Sequence, residues 1–106
     1  MEHPEQELLG RYGIKPPLCG ASIHNGWLSL VERLIVDLIA LGWDRDCQQI
    51  KEKFGGLRFY IGASTPEVRA RIYAAEEEAR VTCAVCGAPG VFKDCFVACR
   101  THVRTP

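Results

Sequence analysis

Four residues near the end of the chain restrict its fold more than any others. Cys83 and Cys86 are separated by two residues, Cys99 and His102 by two more, and twelve residues lie between the pairs. A C-x2-C pair followed by a C-x2-H pair brings three thiolates and one imidazole onto a single tetrahedral Zn2+, because a tight two-residue turn aims both of its flanking side chains at one point. Gly87 suits the backbone reversal expected just after the second thiol. Ala88-Pro89-Gly90 then makes a turn, and the residues beyond it return to the metal as a short strand. A Cys99/His102 nucleophile pair is the weaker reading, since catalytic cysteine and histidine usually come from distant parts of a chain. A redox C-x-x-C is weaker too: it wants a strand before and a helix after, and here a helix precedes and a Gly-Ala-Pro-Gly turn follows. Cys95 stays open as an alternative to His102 or Cys99, although its place within residues 92–97 suits a small buried side chain.

The 106 residues make one domain, to which a metal clip adds stability. It divides into an extended N-terminal segment (1–25), a helix-hairpin-helix core (26–80) and a zinc-binding lobe (81–106). Thirteen basic residues balance thirteen acidic ones, which argues against a non-specific grip on DNA while leaving room for a local basic patch. The six cysteines do not read as a disulfide framework. Four of them surround a histidine at metal spacing, and the acidic, polar start of the chain is the reverse of a secretory leader. No apolar run reaches the ~20 residues that span a bilayer. A reducing cytoplasm is the expected compartment.

Taken in order, Leu8, Leu9 and Tyr12 suit a short helical turn that docks. Residues 15–18 read as extended, because proline disfavours helix at the residue before it. Cys19 and Cys47 read as lone buried thiols, and His24 as a surface or turn residue rather than a ligand. The main helix is expected over residues 26–41, with Asn25 as N-cap and Gly42 as its end. Trp27, Leu30, Val31, Leu34, Ile35, Leu38 and Ile39 recur at steps of three and four and draw one broad apolar stripe, read as core. Ser29, Glu32, Arg33 and Asp37 lie mostly off it.

Residues 47–54 and 57–61 read as the strands of a hairpin turning at Gly55-Gly56, where both central residues need positive φ. Leu57, Phe59 and Ile61 then face the helix, and Ile50 and Phe54 share a side of the first strand. Lys51, Lys53, Arg58 and Tyr60 form an outward basic face bearing one aromatic ring. Ser64 and Glu67 read as a capping box around Pro66 for a second helix, with Val68, Ile72, Ala75 and Ala79 as its apolar seam. The run Glu76-Glu77-Glu78 reads as a solvated face partly paired with Arg69, Arg71 and Arg80.

Gly26-Trp27 ahead of a helix, the segment Ile50-Lys51-Glu52-Lys53-Phe54-Gly55-Gly56-Leu57-Arg58-Phe59-Tyr60, Ala75-Glu76, and the two knuckles resemble a family of short, mostly unannotated proteins encoded by bacteriophages, prophages and their hosts. The likeness covers roughly residues 17–102. Family members often carry an acidic residue and glycine before the tryptophan, where His24-Asn25-Gly26 stands here. The resemblance implies a phage-linked accessory protein with a zinc knuckle pair, working in the cytoplasm of a bacterial host.

Together these readings give an α+β domain: an amphipathic helix on a short antiparallel sheet, a second helix, and a C-terminal zinc ribbon. The expected role is non-enzymatic binding of a host or phage protein through Lys51, Lys53, Arg58 and Tyr60. By analogy with other small phage accessory proteins, that extends to inhibition of a defence system such as CRISPR. The alternative is nucleic-acid binding, with Lys93, Arg100 and Arg104 contributing near the zinc. Hydrolysis is disfavoured because the chain itself supplies four ligands, leaving no position for water. No small-molecule substrate and no membrane contact are expected.

Overall fold

In the computed structural model, which describes residues 4–14 and 20–103, the apolar stripe becomes the central helix. The elements in order are α1 (Pro4–Arg11), β1 (Gly20–Ala21), α2 (Leu28–Ala40), β2 (Cys47–Lys53), β3 (Gly56–Ile61), α3 (Pro66–Ala79), β4 (Val91–Lys93) and β5 (Phe96–Ala98). The expected α+β class holds. The readings for Cys19, residues 15–18 and Arg104 fall outside the described residues.

The helix starts later than its pattern suggests. A 3-10 turn, Asn25–Trp27, precedes α2, and neither has a side-chain cap. Asn25 is therefore not the cap expected of it. The chain is anchored instead by the C-terminal lobe: the Gly26 N–H donates to the Ala84 carbonyl at 2.9 Å, and Trp27 Nε1 donates to the Thr82 carbonyl at 2.9 Å. Beyond the turn, Leu30, Val31, Leu34, Ile35 and Leu38 are buried, and Gly42, at φ +91, ends the helical run.

β2 and β3 pair antiparallel, with Ile50 opposite Phe59 and Lys51 opposite Arg58, and β1 adds a two-residue parallel edge beside β2. Ile50, Leu57 and Phe59 face the core. The turn sits one residue earlier than Gly55-Gly56. Lys53 pairs with Gly56, and the two positive-φ residues are Phe54 (φ 53) and Gly55 (φ 86). Phe54 thus leaves the inward side of β2 and stands at the tip, 72% exposed. A Cβ on Gly55 would lie 2.5 Å from the Cys95 carbonyl and 2.7 Å from the Phe92 ring. The glycine is placed where the two hairpins touch, and the bulkier residue takes the other left-handed position.

α3 packs its seam of Val68, Ile72, Ala75 and Ala79 on α2 and β3. Its cap is Thr65, whose Oγ1 accepts the Val68 N–H at 3.3 Å, while the Ser64 hydroxyl is buried without a partner. Pro66 explains the shift from the expected Ser64 box: proline prefers the first helical position, so the cap falls on the residue before it. The carboxylate run is less free than expected. Glu76 accepts the Phe59 N–H on the outer edge of β3 at 3.0 Å, and Glu78 pairs with Arg33 at 2.9 Å. Arg71 reaches across to Asp37 at 2.7 Å rather than along its own helix. The expected N-terminal turn is an eight-residue helix that buries Leu8 and Leu9.

Candidate metal centre

The segment after α3 folds by its own backbone bonds before any ligand is considered. The Cys83 N–H donates to the Ala88 carbonyl at 2.7 Å, and the Gly87 N–H closes the first knuckle on the Cys83 carbonyl at 2.9 Å. Gly87 adopts φ +84, as its position after the second thiol led us to expect. The second knuckle closes through the His102 N–H on the Cys99 carbonyl at 3.1 Å. Between them β4 and β5 form a hairpin whose turn, Asp94-Cys95, again has two residues at positive φ (54 and 58).

These turns aim four side chains at one point. Sγ of Cys83, Cys86 and Cys99 and a ring nitrogen of His102 all lie within 4.8 Å of one another. Nδ1 of His102 is 3.2 Å from Cys99 Sγ and 3.6 Å from Cys83 Sγ, and the Cys86 and Cys99 sulfurs are 3.7 Å apart. A tetrahedral ion with sulfur at ~2.3 Å and nitrogen at ~2.0–2.1 Å sets edges of about 3.5–3.8 Å, which the three short separations approach while the cluster at its widest is looser. The sulfur separation is far beyond a disulfide bond of ~2.05 Å. Cys95 takes no part. It is exposed at the hairpin tip, not buried as expected, because the turn occupies the position where its side chain would have packed inward.

The electrostatics also fit a cation. Burial pushes the Cys83 thiol up, but the N–H groups of Cys86, Cys99 and Val85 and the His102 ring outweigh it and bring the thiol down to about 6. For Cys86 the Ala88 N–H pulls downward, yet burial and the sulfurs of Cys99 and Cys83 prevail and the thiol is raised. His102 is raised by the sulfurs of Cys99 and Cys83. Thiolates this close resist further negative charge until a positive ion sits among them.

The C-terminal lobe is fastened to the rest of the domain at two glycines. A Cβ on Gly26 would collide with the Cys83 carbonyl and come within 2.7 Å of both Ala84 and Gly87 backbone atoms. Only a bare backbone allows the start of the helical segment to lie against the first knuckle. Gly55 makes the second contact, with the tip of the β4–β5 hairpin. Two pieces of the chain that looked unrelated in sequence, Gly26-Trp27 and the Gly-Gly turn, thus serve the same lobe.

The outward hairpin residues come together as their alternation implied. Lys51 stands opposite Arg58 in register, and Lys51 Nζ lies 5.8 Å from the centre of the Tyr60 ring. Lys53 reaches over the Phe54 ring at 5.9 Å, a neighbour the alternation did not supply. Arg58 donates to the Leu57 carbonyl at 3.2 Å and makes no bond to Glu76. His24 stays outside the metal cluster, edge-on to Trp27 with ring centres 4.9 Å apart and 3.8 Å from Glu52. The Cys3His group is the one metal-sized cluster found among the described residues. No protein-family model, curated protein or solved structure matches the chain.

Proposed function

We propose that the chain is a small non-enzymatic binding module whose C-terminal lobe is held by one structural Zn2+. One observation carries this reading: four protein ligand atoms lie within 4.8 Å of one another, and their lobe is wedged against both the start of the central helix and the β2–β3 turn. A shell closed by the protein leaves no coordination site for a substrate or an activated water. Three thiolates with one imidazole suit zinc, which has no geometric demand beyond the tetrahedron. The working surface is the outward face of Lys51, Lys53, Arg58 and Tyr60.

The first reading of the partner is a host or phage protein, in a phage-linked accessory role that includes inhibition of a bacterial defence system. Its support is the resemblance carried by the Gly26-Trp27 and 50–60 segments. A second reading, nucleic acid, is favoured by a specific observation. Among the described residues Lys51, Lys53 and Arg58 form no ion pair, whereas Arg11, Arg33 and Arg71 on the helices are paired and Arg69 is not.

Elemental analysis of purified protein tests the first half of this proposal, with one zinc per chain expected. Cys83→Ser should lose the metal and Cys95→Ser should keep it. Retention of zinc by Cys83→Ser, or full stability without metal, overturns the structural-zinc reading. For the surface, Lys51→Glu with Arg58→Glu should lose partner capture while zinc content and melting temperature stay unchanged, because charge reversal on an exposed strand creates no cavity.

A further inference from the structure

We infer that the joined tips of the two hairpins form a stacking platform for single-stranded nucleic acid, an inference that rests on the second of the two partner readings above. The first ground is an aromatic residue in a costly position. Phe54 adopts a left-handed conformation at φ 53 while 72% exposed. A bulky residue there is a steric outlier, and glycine or asparagine would serve the turn better. An exposed phenyl ring adds nothing to the core either. The Gly55 contact sets the position of the turn but not the choice of a phenyl ring over glycine or asparagine at Phe54, and a contact outside the fold accounts for that choice.

The second ground is what surrounds it. Gly55 lies against Phe92 of the other hairpin, so the two rings sit on adjoining tips. Each has a cation against it: Lys53 Nζ is 5.9 Å from the Phe54 centroid, and Arg80 Cζ is 5.0 Å from that of Phe92. Along the same hairpin Lys51 sits over Tyr60 at 5.8 Å. Among the described residues, none of Lys51, Lys53, Arg58, Arg80 and Lys93 has an ion pair. The chain is neutral overall, yet three of these unpaired cations, Lys51, Lys53 and Arg80, each lie beside an exposed ring.

Alternating π-faces and cations match a strand whose bases are unpaired and whose phosphates follow at regular intervals. A duplex hides its base faces and offers such rings nothing to stack on. An acidic protein would satisfy the cations but gives no reason for a strained, solvent-facing phenyl ring.

The experiment uses the zinc-loaded full chain and fluorescently labelled oligonucleotides of about 16 nucleotides, near the upper site size of one strand-binding domain. Single-stranded DNA, single-stranded RNA and the matching duplex are titrated by anisotropy at several salt concentrations. Single strands should bind more tightly than the duplex, with a log–log salt slope of about −2 to −3 for three or four phosphates. Phe54→Gly and Phe92→Leu should each weaken binding about 10-fold with the slope unchanged, and Lys53→Gln should make the slope shallower. Phe54→Gly should do so without lowering the melting temperature, which a structural role for the ring would not allow. Phe54→Leu, which keeps the apolar volume, should lose binding as well. Equal affinity for the duplex, or indifference to both ring substitutions, overturns the stacking platform while the nucleic-acid reading stands. Absence of binding to every nucleic acid at low salt overturns both and leaves the protein partner.

Discussion

Glu32 joins two parts of the molecule through a single carboxylate oxygen. It accepts the Tyr12 hydroxyl at 2.7 Å and Arg11 Nη1 at 2.9 Å, and so ties α1 to α2. The Tyr12 hydrogen bond, with help from Arg11 and against partial desolvation, lowers the Glu32 carboxyl below its ordinary 4.5. The same bond, aided by burial, raises the Tyr12 phenol above 10.0. A lowered carboxyl stabilises the fold above its unfolded value, and that contribution is lost as pH falls through the folded one. A raised phenol contributes below its unfolded value and fails as pH rises through the folded one. The α1 clasp should therefore hold between roughly pH 5 and 10 and loosen on either side. Hydrogen exchange at the Leu8 and Leu9 amides measures this, and Glu32→Gln should abolish the acid limb. Protection that stays unchanged on both sides of that window would mean that α1 is held by Leu8 and Leu9 alone. The sequence placed Glu32 correctly off the apolar stripe. It was silent on its partners, because they come from a segment with two core leucines, too few to show a period.

Among the elements, α2 was the most legible because its burial follows from spacing alone. Leu30, Val31, Leu34, Ile35 and Leu38 return to one side every three or four residues, and all are buried. Leu34→Ala should cost about 2–5 kcal/mol in denaturant unfolding, as a large-to-small change in a packed core. Arg33→Ala, on the same helix, should stay within about 1 kcal/mol, since its pair with Glu78 is half exposed. Equal small costs at both positions would show the stripe to be an open surface. Element ends were harder to read, and the reasons are local. Thr65 displaced Ser64 as cap because Pro66 fixes the first helical position. The β2–β3 turn moved to Phe54-Gly55 because Gly55 is needed at a contact with Cys95 and Phe92. That contact joins residues some forty positions apart, which no short-range pattern encodes.

At the scale of the whole molecule, the four clustered side chains were legible because a shared metal site needs only close spacing within each pair, but the use the fold makes of them was not. The lobe supplies the hydrogen-bond acceptors for the start of the central helical segment, Ala84 for the Gly26 N–H and Thr82 for the Trp27 indole. Metal binding should then be felt well beyond the knuckles, since the energy that orders such a lobe is folding energy. On the proposed zinc site, removing the ion with a strong chelator should release the Cys83–Ala84 backbone from Gly26 and free the Trp27 Nε1–H. Trp27 is buried, and so is Trp43, which instead packs on Phe59 with ring centres 5.9 Å apart. Single-tryptophan variants separate the two. With Trp43→Phe, chelation should shift the remaining Trp27 emission to longer wavelength, and zinc should restore it. With Trp27→Phe, the Trp43 emission should hardly move, because its ring packs on Phe59 and its Nε1–H makes no hydrogen bond to the lobe. If both tryptophans shift together, the metal holds the entire core. If neither shifts, the lobe docks through Gly26 and Gly55 without needing its ion.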